Sequence, residues 1–185
     1  MTTLPVFITG NQHKADYLAK WLGQPINHRK LDIDEIQSLD LRTVVEHKAR
    51  QAYAAAGEPV LVEDVALTFT AMGQLPGTFV KWFLEEIGVD GLVRIADGLP
   101  HRGAEAAIMY AYFDGQELHV FEGRVTGQVP PRPRGENSFG KGWNAIFIPD
   151  GTDKTYAEMT EEECWPFNHR AQAIAKLQAF FADAV

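Results

Sequence analysis

Apolar positions alternate between strand-like runs and helix-like stripes over the first third of the chain. In the first stripe, Ala15, Leu18 and Leu22 recur at helical spacing. The predicted elements are, in order, a strand at 4–9, a helix over 12–22, a strand at 26–32, a helix over 41–56 and a strand at 59–63. This order predicts a βαβαβ arrangement.

The rest of the chain predicts a long hairpin and a closing helix, with Asp114-Gly115 as a strong hairpin signal between two alternating runs. The predicted elements are a short helix after Pro76-Gly77, strands over 104–113 and 117–128, a glycine-rich loop at 135–142, a short strand near 145–148 and a helix over 169–183. The pattern predicts an α/β or α+β fold with a mixed sheet. Because no linker or repeat interrupts it, we expect residues 1–185 to form one two-lobed domain.

Composition and charge narrow the classes of function. Of the 185 residues, 45% are hydrophobic and 23% are charged, which suffices for a full core. The net charge of −8 argues against broad binding to nucleic acid, so an anionic ligand needs local cations or a bound metal. No apolar run is long enough to cross a bilayer, and the N-terminal residues do not resemble a secretory signal. With the single Cys164, these features lead us to expect a cytoplasmic protein that binds no membrane.

The turn after the first predicted strand has features of a phosphate-binding site. Gly10 permits a sharp bend, and Asn11 is a good N-cap for the helix that follows. The helix N-terminus then presents backbone N–H groups and a positive dipole end, with Lys14 in its first turn. The two glycines of a P-loop are absent, so an ordinary strand–turn–helix connection stays open as an alternative.

Acidic residues follow two of the predicted strands. Glu63-Asp64 comes at the end of the third strand, and Asp32, Asp34 and Glu35 follow the second. Ligands in open α/β sheets bind beyond the carboxyl ends of the strands, so we expect a functional role for Asp64. Asp32 and Asp34 are better explained as solvated loop residues. Oxygen ligands on loops suit Mg²⁺, whereas the isolated histidines offer no zinc template.

Seven short motifs follow one another along the chain at compatible spacing. They are Thr9-Gly10-Asn11-x-x-Lys14, Asp34-Glu35-Ile36-Gln37, Val62-Glu63-Asp64 through Leu75-Pro76-Gly77, Phe121-x-Gly123-x3-Gly127, Pro133-Arg134-Gly135, Thr155-Tyr156-Ala157-Glu158-Met159 and His169-Arg170-Ala171. Together they resemble the inosine triphosphate pyrophosphatase family, whose members hydrolyse non-standard purine triphosphates such as ITP, dITP and XTP to the monophosphate and pyrophosphate. The resemblance implies a mixed sheet, a substrate cleft between two lobes and a homodimer.

The resemblance also implies a role for each matching residue. The residues that match phosphate contacts are Thr9, Gly10, Asn11, Lys14, Lys48 and Lys81. Glu35 and Asp64 match the acids that hold Mg²⁺, and Asp64 is also the expected organiser or base for the attacking water. Residues that match the purine pocket are Trp143, His169 and Arg170. A triphosphate carries about four negative charges, which an acidic protein must neutralise with Mg²⁺ and converging lysines.

This chain departs from the family pattern in the part expected to hold the base. The family's aspartate is Asn144 here, and its lysine and serine before His-Arg become Cys164 and Asn168. Two apparent extra residues bring in Lys141, whose cation could replace the lost lysine. We therefore expect pyrophosphohydrolysis with relaxed or shifted base selectivity. Two alternatives stay open: a catalytically weak nucleotide-binding or sensing protein, and a hydrolase of modified pyrimidine triphosphates.

Overall fold

The computed structural model describes residues 4–136 and 142–183. Its helices are α1 (Gln12–Leu22), α2 (Leu41–Ala56), α3 (Val80–Asp97), α4 (Glu161–Cys164) and α5 (His169–Asp183). Its strands are β1 (Val6–Ile8), β2 (His28–Arg29), β3 (Val60–Phe69), β4 (Pro76–Gly77), β5 (Gly103–Phe113), β6 (Leu118–Gln128) and β7 (Ile148–Pro149). Lys141 and most of the predicted glycine-rich loop lie outside the described residues.

Within those ranges the strands form a seven-stranded sheet of mixed direction. The strand order is β2-β1-β3-β5-β6-β7, and β4 pairs with β3. Strand β1 is parallel to both β2 and β3, whereas β4 is antiparallel to β3 and β7 is antiparallel to β6. The predicted fold of helices around a mixed sheet is therefore confirmed.

Helices α1 and α2 begin and end where the sequence predicts because both ends carry strong local signals. The Asn11 side chain accepts hydrogen bonds from two backbone N–H groups in the first turn of α1, and Gly23 ends that helix with a φ of 73°. Asp40 caps α2 by accepting a hydrogen bond from the Arg42 backbone N–H, and Gly57 ends that helix with a φ of 72°.

Several predicted lengths are wrong. The third strand does not end at Glu63, because β3 continues through Ala66 and Leu67, which are buried, to Phe69. The helix after Pro76-Gly77 has a second segment that the sequence did not predict. It is broken at Gly88, where φ is 66° and ψ is −176°, and resumes as far as Asp97.

The other differences concern short strands. The predicted strand at 26–32 shortens to the two exposed residues of β2, which leaves the loop after it without regular structure. The predicted strand near 145–148 becomes a 3-10 helix, Asn144–Ile146, followed by β7. An apolar run in the sequence does not by itself distinguish a short strand from a helical turn. In the folded chain, residues 144–146 form the helical turn.

The chain divides into two compact units that interleave along the sequence. The first comprises Met1–Asp64, Ile108–Glu122 and Gln172–Val185, and the second comprises Val65–Ala107 and Gly123–Ala171. Each has a buried core: Phe7, Leu18 and Leu61 are fully buried in the first unit, and Leu92 and Phe147 in the second. No helix in the described part of the chain is long and apolar enough to cross a membrane.

Candidate functional site

The turn between β1 and α1 is shaped by hydrogen bonds among its own residues. The Asn11 backbone N–H donates to Thr9 Oγ1 at 3.1 Å, and Asn11 Oδ1 accepts from the His13 backbone N–H at 3.0 Å. At Gly10 a Cβ would come within 3.1 Å of the Lys30 side chain, so a larger residue would require Lys30 to shift by a few tenths of an ångström. The turn leaves the start of α1 exposed, as an anion-binding helix N-terminus requires.

Lys14 is held by a buried carboxylate to which the sequence analysis gave no role. Its Nζ lies 2.8 Å from Glu63 Oε1, and only 3% of the Glu63 side chain is exposed. Because a buried carboxylate needs a compensating charge, this ion pair fixes Lys14 at the first turn of α1. The sequence feature that could have indicated this ion pair is an acidic residue, Glu63, inside a strongly apolar strand.

The acidic pair on β3 lies inside the strand but past the end of its parallel neighbour. Strand β1 ends at Ile8, and its register pairs Phe7 with Leu61. Glu63 and Asp64 therefore follow the last paired residues, at the carboxyl edge of the parallel strands. Ligands of α/β folds bind at that edge.

Lys48 brings the two predicted metal-binding acids together. Its Nζ lies 2.8 Å from Glu35 Oε1 and 3.3 Å from Asp64 Oδ2. Lys48 belongs to α2, Glu35 to the loop before α2, and Asp64 to β3, so three segments meet at one ammonium group. Only 17% of the Lys48 side chain is exposed, which places its charge largely out of water. We call these three residues the lysine–carboxylate cluster.

Two opposing effects act on the pKa of Lys48. Burial lowers the pKa, whereas the charge of Asp64 and the hydrogen bond and charge of Glu35 raise it. The carboxylates outweigh burial, so the pKa of Lys48 lies above its ordinary value. The ammonium therefore stays charged at physiological pH.

The donor atoms of the cluster fit a hard divalent cation. Two carboxylates already converge on one positive charge, the Lys48 ammonium, which acts as a stand-in for a bound ion. Among residues 4–136 and 142–183, no group of three or more His, Cys, Asp or Glu side chains could hold a metal by itself. Mg²⁺ commonly takes one or two carboxylates and completes its shell with water and substrate phosphates, so Glu35 and Asp64 suit that mode of binding.

Lys81 belongs to a different unit from the other predicted phosphate contacts. It lies in the first turn of α3, exposed, with its Nζ 5.2 Å from the ring centroid of Trp82. The first unit contains the turn at Gly10 together with Lys14 and Lys48, whereas Lys81 lies in the second unit.

The predicted base-binding residues include two members of an aromatic cluster in the second unit. The Trp143 and His169 ring centroids are 5.5 Å apart, and Tyr156 stacks on His169 at 5.9 Å with an interplanar angle of 23°. The Tyr156 hydroxyl donates to the Phe167 carbonyl at 2.8 Å and lies 3.5 Å from His169 Nδ1. All three rings are buried, so packing fixes the orientation of the imidazole.

Among the positions that depart from the family pattern, Asn144 and Asn168 lie at the start of helical segments. Asn168 Oδ1 accepts a hydrogen bond from the Arg170 backbone N–H at 2.8 Å, which caps the start of α5. The Asn168 amide donates to Cys164 Sγ at 3.4 Å. Asn144 is half-buried and begins a 3-10 helix. Asn168, which stands where the family pattern has a serine, therefore still caps the start of α5.

Cys164 is expected to be unreactive in the native protein. Burial raises the pKa of its thiol to about 11, with the Asn168 hydrogen bond opposing and the Glu161 charge adding to the shift. Since the thiolate is the reactive form, iodoacetamide should alkylate Cys164 much more slowly in the folded protein than in urea at neutral pH. Mass spectrometry of timed samples measures both rates, and equal rates would contradict a buried, protonated thiol.

Comparison with known sequences identifies a family model that covers nearly the whole chain. Residues 5–180 match the model of the Ham1 family. Inosine triphosphate pyrophosphatase of Schizosaccharomyces pombe is 43% identical over 179 residues, which are 95% of this chain and 93% of the relative. Inosine triphosphate pyrophosphatase 2 of Trypanosoma cruzi is 41% identical over 178 residues, covering 94% and 90% of the two chains.

Solved structures share the fold. The Ham1 protein of Staphylococcus aureus superposes with a TM-score of 0.84 at 24% identity, covering 97% of this chain and 98% of that one. A nucleoside-triphosphatase, described as a dITP/XTP pyrophosphatase, from Mycobacterium abscessus gives a TM-score of 0.73 at 26% identity, covering 93% and 97%. The first of these likenesses concerns the fold alone.

Proposed function

This chain belongs to the Ham1 family, and from that premise we propose that it hydrolyses non-standard purine nucleoside triphosphates to the monophosphate and pyrophosphate. Relatives about 40% identical over most of the chain are named inosine triphosphate pyrophosphatases. The observation that carries the proposal is on β3, where adjacent acids hold the two candidate phosphate-binding lysines. Glu63 pairs with Lys14, and Asp64 pairs with Lys48.

The proposed phosphate contacts combine a helix terminus with two lysine side chains, Lys14 and Lys48, that are held by carboxylates. The backbone N–H groups at the start of α1, shaped by Thr9, Gly10 and Asn11, would bind the phosphate tail. Lys14 would add a charge-assisted contact from the same turn, and Lys48 would supply a second cation. Such groups stabilise the negative charge that builds up on the leaving pyrophosphate.

We further propose that Glu35 and Asp64 hold Mg²⁺ together with the substrate. When bound, the metal supplies Lewis-acid polarisation of the phosphate. The Asp64 carboxylate orients a water molecule and accepts its proton as the water oxygen attacks the α-phosphorus. The bond between the α-phosphorus and the bridging oxygen then breaks, and pyrophosphate leaves with that oxygen.

The base is proposed to bind to residues of the second unit. Trp143, Asn144, His169 and Arg170 are the candidates, and the packing of Tyr156 against His169 supports a fixed imidazole. Lys81, exposed at the start of α3, is a further candidate contact with the charged part of the substrate.

Among ITP, XTP, ATP and GTP, Asn144→Asp is expected to sharpen the preference for ITP and XTP over ATP. Hypoxanthine and xanthine carry an N1–H donor, which an aspartate accepts, whereas an asparagine amide offers both a donor and an acceptor. A site that can pair with a donor or with an acceptor on the base discriminates weakly between bases. Values of kcat/KM for the four nucleotides, measured in both proteins, test this role. Strong wild-type selectivity for ITP that Asn144→Asp leaves unchanged would refute it.

A catalytically weak sensing protein of the same fold is not favoured, because the relatives are named as enzymes. ITP binding and pyrophosphate release measured on one preparation with Mg²⁺ separate the two functions. Pyrophosphate release with turnover supports the hydrolase, and tight binding without release supports the sensor.

We also propose a cytoplasmic homodimer. Leu75, Trp82 and Ile87 of the second unit are 37%, 48% and 39% exposed, and a partner subunit that covered these apolar side chains would remove them from water. Light scattering coupled to size exclusion gives the mass directly, and a monomeric mass at micromolar concentration would contradict the dimer.

A further inference from the structure

The lysine–carboxylate cluster places a protein cation on both acids proposed to hold the metal. Lys48 Nζ lies within hydrogen-bond distance of Glu35 Oε1, at 2.8 Å, and of Asp64 Oδ2, at 3.3 Å. A divalent cation that bridges these carboxylates would meet the ammonium at close range. Like charges at such a distance, with the lysine largely out of water, repel strongly.

We propose that Lys48 is an internal counter-cation that competes with the divalent metal for Glu35 and Asp64, and that it must leave both carboxylates when the metal binds. This inference rests on the proposed function for the identity of the metal-binding acids. Its physical basis is the mutual exclusion of two positive groups at one carboxylate pair.

Because of this exchange, the protein binds the metal more tightly when the substrate is bound, and it binds the substrate more tightly when the metal is bound. A metal ion alone would leave the largely buried Lys48 ammonium without its carboxylate partners, which is costly. A triphosphate supplies the anion that Lys48 then needs, so each ligand lowers the cost of binding the other. The cluster would thus hold the acids in place before the reaction and resist metal binding without substrate.

Removing the charge of Lys48 should therefore tighten metal binding in the absence of nucleotide. Electron paramagnetic resonance of free Mn²⁺ measures its dissociation constant for the wild-type protein and for Lys48→Met. We expect Lys48→Met to bind Mn²⁺ at least about 10-fold more tightly, within the usual range of coupling between sites. An unchanged or weaker affinity would overturn the inference.

Two variants control for charge and shape. Arg42→Met removes the same charge from the same helix at an exposed ion pair with Glu46, and it should leave the Mn²⁺ affinity within about 3-fold of wild type. Lys48→Arg keeps the cation and should bind Mn²⁺ no more tightly than the wild-type protein. A gain in Lys48→Arg equal to that in Lys48→Met would show that charge is not the cause.

Circular dichroism establishes whether each variant is folded. If Lys48→Met does not fold, Lys48→Gln takes its place, with the same expected gain in Mn²⁺ affinity. Because no nucleotide is present, the Mn²⁺ result is independent of turnover. Loss of the expected Mn²⁺ effect in an enzyme that hydrolyses ITP would refute only the competition. The expected Mn²⁺ effect in a protein without turnover would refute only the proposed hydrolysis.

Discussion

Asp64→Asn should leave the protein folded and lower the turnover of ITP by at least ~10²-fold, as expected when a general base or metal ligand is lost. The substitution preserves the shape of the side chain but removes the charge that faces Lys48 at 3.3 Å. It also removes one of the two carboxylates proposed to hold the metal. Steady-state pyrophosphate release at saturating ITP and Mg²⁺ measures the effect.

Asp34→Asn is the matched control for that substitution. Asp34 carries the same carboxylate on the exposed loop that bears Glu35. We expect its neutralisation to change kcat by less than about 3-fold, since an exposed loop charge contributes little. Near-normal turnover of folded Asp64→Asn would contradict the role of Asp64 as general base or metal ligand. An equal loss of turnover in Asp34→Asn would contradict it as well.

Lys14→Ala is expected to raise the KM for ITP about 10-fold or more and to weaken inhibition by pyrophosphate. A hydrogen bond to a charged group contributes roughly 1.5–3 kcal/mol, and about 1.4 kcal/mol corresponds to a tenfold change in affinity. The effect should shrink as ionic strength rises, because the screening length falls to roughly 8 Å near physiological salt. Initial-rate measurements at two salt concentrations test both expectations.

Two controls separate phosphate binding from folding. Lys20→Ala removes a charge from the other end of α1, and it should leave KM unchanged. Lys14→Ala leaves the buried Glu63 without this ion pair, so Lys14→Ala combined with Glu63→Gln should recover thermal stability while KM stays high. If Lys14→Ala alters base preference and spares phosphate affinity, the phosphate-binding turn is wrongly assigned.

Local signals predicted the parts of the fold that depend on neighbours in the sequence. The bounds of α1 and α2 followed from Asn11, Asp40 and the glycines after each helix, all of which act within one turn. The end of β3 was mispredicted because acidic residues within an apolar run resemble a strand terminus. In the fold, the strand continues as a paired member of the sheet, with Glu63 buried and held by Lys14.

The candidate site was predictable as a set of residues but not as a set of contacts. Glu35, Lys48 and Asp64 are far apart in sequence, and no local pattern states that one ammonium would bridge both acids. The resemblance supplied the roles of these residues, whereas the tertiary structure showed that the lysine and the carboxylates pair with one another. Likewise, the burial of Trp143 depends on partners such as Tyr156, which lie in later segments.

Hydrolysis of ITP in H₂¹⁸O is the measurement that tests the central claim most directly. With Mg²⁺ present, water attack at the α-phosphorus should yield equal amounts of IMP and pyrophosphate, with one ¹⁸O atom in IMP and none in pyrophosphate. Mass spectrometry of the two products reads both the stoichiometry and the label. Formation of IDP and orthophosphate, label in pyrophosphate, or the absence of turnover would contradict the proposed reaction.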